Sequence, residues 1–170
     1  MELASSPTGS ALYDGSHRYR YRLTRVWDTE RASVCWVMLN PSRADHSTDD
    51  PTIRRVIAFS RDWGYGSATV VNLFAYRTHS PAVLRQASQP VGPHNDRIVA
   101  DAAETADMVL FAWGNHGRLA NPTTRRPRSL EVEALLGDTA TRCLGRTRSG
   151  QPRHPLYLKA STVPEPYFAQ

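Results

Sequence analysis

Three short runs, SVCWVML at 33–39, ATVVNLFA at 68–75 and DMVLFAWG at 107–114, are almost continuously apolar and rich in β-branched and aromatic residues. A membrane helix takes about 18–20 apolar residues, so none of them is long enough to be one. Runs of this length and composition read instead as strands buried on both faces, as in a parallel sheet covered by helices. The segments between them supply those helices. Asp50 and Pro51 make a helix start, because Asp caps free N–H groups and Pro suits the first helical position. Ile53, Val56 and Ile57 then form an apolar stripe, and WGYG at 63–66 ends the helix. Ser80 and Pro81 open a short helix over SPAVLRQA, a longer helix runs from Pro93 to about Ala106, and SLEVEALL precedes a last strand, TRCLGRT, at 141–147.

Strand and helix alternating in this way predict an α/β fold, a three-layer sandwich with a mostly parallel central sheet of about four strands. HRYRYRLTRVWD at 17–28 alternates basic with aromatic or apolar residues, the pattern of an edge strand with one wet face. Residues 1–16, rich in Ser, Gly and Ala without periodicity, read as a flexible leader, and residues 17–170 as a single domain. The amino terminus lacks a charged start followed by an apolar core, so the expected address is cytoplasmic and no membrane partner is expected. Cys35 and Cys143, the only cysteines, read as reduced core thiols.

The net charge of +5 is unevenly placed. Residues 1–110 carry 12 basic and 12 acidic side chains, whereas residues 111–170 carry 9 and 4. That excess points to a polyanionic partner near the last third of the chain.

In open α/β sheets, ligands bind where the carboxy ends of strands meet loops. Four such places follow Leu39, Leu73, Trp113 and Thr147, and polar residues gather at each. The first loop holds Asn40, Pro41, Ser42, Asp45, His46, Asp49 and Asp50. Capping accounts for Asp50, while Asp45 and Asp49 have no evident structural task and become candidates, with Asn40, for orienting or deprotonating a water. DHSTDD suggests metal binding by composition only, since no pair of His or Cys elsewhere has ligand spacing, so neither metal nor cofactor is expected. Asn72 interrupts an apolar strand, and its amide suits either the edge of a nucleobase or the bracing of a loop. Phe74 or Tyr76 could stack on a base, or belong to the core. Arg118, Arg126 and Arg153 are candidates for phosphate contact. His154, between Arg153 and Pro155, is placed to act as a neutral hydrogen-bonding imidazole.

MLNPSRAD, DDPTIRR, WGYG, VVNLFAYR, VGPHND, AWGNHG and PRHPLYL together resemble the bacterial and phage family catalogued as domain of unknown function 1643, over roughly residues 18–160. The order of motifs, an NP loop after the first apolar strand, an Asn ending the second, WG ending the third and a late HP, is also similar to the uracil-DNA glycosylase superfamily. That likeness implies a glycosylase-like fold in which Asn40 or Asp45 falls in the water loop, Asn72 reads a flipped base and His154 stabilises the leaving base. On the same likeness Pro41, Ser42, Trp113 and Asn115 would line the substrate. LYL after HP, with an aromatic residue, replaces the family's serine-rich loop.

The expected function is therefore a glycosylase-like enzyme acting on a base in nucleic acid, DNA first, or on a nucleotide, by hydrolysing the N-glycosidic bond. Two alternatives stand beside it: a non-catalytic module recognising a nucleic acid or a modified base, and a small-molecule hydrolase or transferase using the first-loop carboxylates. Nothing in the chain fixes an oligomeric state.

Overall fold

Burial alternates along the first apolar run. Val34, Trp36 and Met38 pack with Ile53, Val56 and Phe59 on one side of the sheet, while Cys35 and Val37 pack with Val99, Ala102 and Val132 on the other. Helices therefore cover both faces, which explains why the run is apolar at every position. The computed structural model describes residues 1–167. Its strands are β1 (Glu2–Ser6), β2 (Gly9–Tyr13), β3 (Arg20–Val26), β4 (Ser33–Met38), β5 (Ser67–Asn72), β6 (Met108–Phe111), β7 (Thr141–Cys143) and β8 (Glu165–Pro166). Its helices are α1 (Pro51–Asp62), α2 (Pro81–Gln86), α3 (Asn95–Glu104) and α4 (Arg128–Leu136), with 3-10 turns at Gly114–His116 and Pro155–Tyr157. Among the described residues no helix is long and apolar enough to cross a membrane.

The sheet corrects the expected fold. It is not a mostly parallel sheet of about four strands with one added edge strand, but a mixed sheet of eight, in the order β1-β2-β3-β5-β4-β6-β7-β8. The β4–β5, β4–β6 and β6–β7 pairs are parallel; the four other pairings, β1–β2, β2–β3, β3–β5 and β7–β8, are antiparallel. The strand at 17–28 is not at an edge either: β3 lies between β2 and β5. Residues 1–16, expected as a loose leader, contain the hairpin of β1 and β2. Ser, Gly and Ala carry little strand preference of their own. Pairing with β3 and burial of Ala11 and Tyr13 hold β2 in place.

Local signals fared better. Asp50 accepts the Ile53 N–H at 2.9 Å ahead of Pro51, and Ser80 accepts from Val83 ahead of Pro81. Both cysteines are buried and unpaired, and burial pushes the Cys35 thiol up to about 12. Trp36, fully buried, donates its indole N–H to the Ser60 hydroxyl at 3.1 Å and stacks on Trp63, locking α1 against β4. That packing fixes the N-terminus of α1 beside the carboxy end of β4, where the polar loops meet.

Candidate functional site

The carboxy ends of β4, β5 and β6 and the segment after β7 enclose a cavity of about 570 Å³, within the range of small-molecule sites. Its least accessible lining comes from Arg20, Met38, Val70, Asn72 and Trp113, all nearly sealed from solvent. Asn115, Arg153 and Tyr157 are exposed lining residues, and Tyr157 is 89% accessible. The cavity therefore has a buried, partly apolar interior and a polar rim carrying one aromatic ring.

Asn72 ends β5 with its side chain 1% exposed, and its Nδ2 has no hydrogen-bond partner among the described residues. A buried amide donor without a partner costs roughly 1–3 kcal/mol, so its retention at a cavity wall needs a reason. Loop bracing, the other task open to an asparagine here, falls to Asn95 instead: its Nδ2 donates to the carbonyls of Asn72 and Leu73 at 2.9 and 3.1 Å. Asn40 is also partly structural. Its Nδ2 donates to the carbonyls of Thr78 and Pro41 at 2.7 and 3.0 Å, which leaves Oδ1 as the acceptor it can offer.

His154 lines the same cavity and caps the 3-10 turn that follows it, its Nδ1 accepting the Leu156 N–H at 3.3 Å. A neutral imidazole that accepts at Nδ1 carries its proton on Nε2. Burial pushes its pKa below the ordinary 6.5, against the opposing pull of the Asp50 charge, so the ring is neutral at pH 7 and offers Nε2–H. Gly114, with φ of 70°, turns the loop after β6 close to His154; a Cβ at Gly114 would lie 3.5 Å from the His154 Cβ. Gly117 serves Trp113 by space rather than by backbone conformation. A Cβ there would meet the indole at 2.1 Å, so only glycine lets the ring lie flat on the chain and donate to Gln151 Oε1 at 3.0 Å.

Two charged groups complete the cavity. Asp50 lines it while its Oδ1 caps α1 and its Oδ2 accepts from the Ala44 N–H at 3.4 Å. An ionised carboxylate has about four acceptor positions, so capping leaves room for a further donor. Arg20, 2% exposed, donates Nη1 to the Ala44 carbonyl, has its Nε buried without a partner and forms no ion pair among the described residues. Burial brings its pKa down from 12.5 to about 10, so it remains a cation at neutral pH.

Asn40, Ser42, Asn72, Trp113, Asn115, Arg153 and His154 thus meet at one cavity, and the remaining sequence candidates do not line it. Asp45 closes a local turn: its Oδ1 accepts from the backbone of Ser47 and Thr48 at 2.8 and 2.7 Å, and those bonds hold its carboxyl below the usual range. Asp49 pairs with buried Arg25, 2.9 Å from its Nε. Pro41 contributes its carbonyl to Thr78 N–H and Asn40. Phe74 is buried in the core and borders a small groove with Leu84 of α2, Pro90 and Leu119. Arg118 and Arg126 are exposed outside the cavity. The sequence reading missed Arg20, and it set Asp50 aside as a cap, although Asp50 is the only carboxylate among the cavity's lining residues. Among the described residues no cluster of His, Cys, Asp and Glu could hold a metal ion.

Helices on both faces of a mixed sheet, with a polar cavity at the carboxy ends of the parallel strands, define an α/β protein with one deep cleft at its strand ends. Over residues 20–156 the chain matches the family described as protein of unknown function (DUF1643), and it belongs to that family. No curated protein and no solved structure matches it, and the likeness to uracil-DNA glycosylases rests on motif order alone.

Proposed function

We propose that the protein takes a nucleobase, presented by a nucleic acid or a nucleotide, into this cavity and hydrolyses its N-glycosidic bond. The observation that carries the reading is the meeting of Asn72 and His154 at one base-sized cavity, the first with an unpaired buried amide donor, the second with a neutral Nε2–H. Pyrimidine and purine edges present carbonyl and ring-nitrogen acceptors, which such donors recognise. In this reading Asn72 fixes the base, and the Oδ1 of Asn40 or a free lone pair of Asp50 orients a water toward the sugar C1′. As the C–N bond breaks, its electron pair goes to the base. His154 Nε2–H and the Arg20 cation stabilise that negative charge in surroundings where water does not screen it. The attacking water gives up a proton to Asp50 or to the departing base.

A second reading is favoured by one observation: both oxygens of Asp50 already accept backbone N–H groups. A carboxylate held in place by those bonds serves as a cap and an anchor, and the same cavity would then bind a base without cleaving it. Incubating the protein with oligonucleotides containing uracil, hypoxanthine or alkylated bases, and assaying abasic sites, decides between them. Product that falls by roughly 10²–10³ in His154→Gln supports hydrolysis. Tight, base-dependent binding with no abasic product supports the binding module and removes the enzyme.

A further inference from the structure

The cavity adjoins a second groove of about 340 Å³, and Ser42, Thr78 and His79 line both. The groove's other lining residues are His17, Arg18, Arg43, Tyr76 and Arg77, with no carboxylate among them. Arg18, Arg43 and Arg77 form no ion pair among the described residues. Two carboxylates sit at the groove's outer margin: Glu2 pairs with His17, and Asp14, which accepts from Ser16 and from the Tyr19 N–H, also feels the Arg18 charge, while neither makes an ion pair with Arg43 or Arg77. Arg77 is the informative member. Its Nη1 donates to the His17 carbonyl at 3.0 Å and its guanidinium carbon lies 5.2 Å from the Tyr13 ring centroid, yet its Nε is buried without a partner.

Arg77 in the groove and Arg20 in the cavity are near enough for each charge to oppose the other, and Asp50, the carboxylate that lines the cavity, does not line the groove. Like charges held together in a partly buried setting without a counterion are costly unless an anion takes its place between or beside them. Several cationic positions with one aromatic ring, leading to a base-sized cavity, fit a chain of phosphates better than a single small anion.

We propose that this groove is the track along which the phosphate backbone of a single nucleic-acid strand runs while one of its bases enters the cavity. The proposal rests on the base-cavity reading for the identity of the strand, and it moves the phosphate contacts from Arg118 and Arg126 to Arg18, Arg43 and Arg77. The test is fluorescence anisotropy of the full chain with a labelled single-stranded DNA of about 12 nucleotides across a salt series. Replacing the exposed pair Arg18→Ala and Arg43→Ala should weaken binding about tenfold or more at low salt and reduce the log–log salt slope by about 1.4, for two phosphates at ~0.7 each. Arg118→Ala with Arg126→Ala should leave affinity and slope unchanged. Loss of binding in the loop pair but not in the groove pair would overturn the track, as would wild-type binding without a salt slope or no binding at all. A strand carrying an abasic position separates the two readings. If it binds with the full, groove-dependent slope while no base is ever excised, the track stands and the hydrolase falls. If bases are excised while the groove pair leaves the slope untouched, the hydrolase stands and the track falls.

Discussion

Replacing Asn72 with valine should make the unliganded protein more stable while abolishing its recognition of a base. Asn72 is 1% exposed with an unpartnered Nδ2, and an unpaired buried donor costs about 1–3 kcal/mol. Valine is larger than asparagine by about one methylene, which the adjoining cavity has room for, and it suits the last position of strand β5, so the substitution removes the polar penalty without a large packing change. A gain of about 1–3 kcal/mol in a chain of this length raises Tm by roughly 2–12 °C. Asn95→Ala provides the contrast. Asn95 is equally buried, its Nδ2 serves two carbonyls of the same strand end, and its loss should lower stability by about 1–3 kcal/mol. Calorimetry on the two variants without ligand, followed by equilibrium binding of an oligonucleotide with and without a base at the test position, reads both effects. If Asn72→Val lowers Tm as far as Asn95→Ala does, the Asn72 amide is already bonded in the free protein and is not available to a ligand.

His154 gives a pH signature. Its pKa is lowered in the folded protein, so the unfolded chain takes up a proton first on acidification, and the stability linked to a neutral ring, present above about 6.5, is lost as pH falls toward the folded value. Urea denaturation from pH 7.5 to pH 5 should show a steeper loss in the wild type than in His154→Gln; equal slopes would remove the claim. Gly117→Ala should cost about 1–3 kcal/mol and shift Trp fluorescence, since the new Cβ displaces the Trp113 indole from Gln151; an unchanged spectrum and Tm would refute that close packing. Asp45→Ala should leave ligand affinity and turnover unchanged and lower stability by about 1 kcal/mol, because its carboxylate closes a turn outside the cavity. A large loss of turnover with normal stability would return Asp45 to the reaction.

What was legible in the sequence was local. Asp50 with Pro51 and Ser80 with Pro81 announce helices within four residues, and the runs of β4, β5 and β6 show in composition alone that both faces are covered. Strand ends pointed to Asn72 and His154 because location at such an end is a property of chain order. Direction was not legible. Asp45 and Asp49 lie in the right loop, but one folds back onto Ser47 and Thr48 and the other is taken by Arg25, which reaches it from β3. Arg20 looked like one of the wet positions of an alternating strand. It is buried at the cavity wall, where its Nη1 reaches the Ala44 carbonyl of the loop after β4, and nothing in residues 17–28 signals that contact. Among the arginines late in the chain, Arg128 is fully enclosed, bonded to Asp96, Glu131 and the Leu73 carbonyl, and is part of the scaffold, which its place in a basic run does not reveal.

The amino-terminal hairpin also bears on when different parts of the molecule open. Ser6 donates to the His46 carbonyl at 2.9 Å, and Tyr13 sits in register with Arg20, whose own N–H is bonded to the Ala75 carbonyl. The backbone beneath the buried cation is therefore tied on both flanks, while the rim residues Asn115, Arg153 and Tyr157 sit on exposed loops or a short turn. In hydrogen-exchange terms the cation's mount belongs with the slowly exchanging sheet and the rim with the first segments to fluctuate. A ligand entering past the rim would meet a charge whose position is already set.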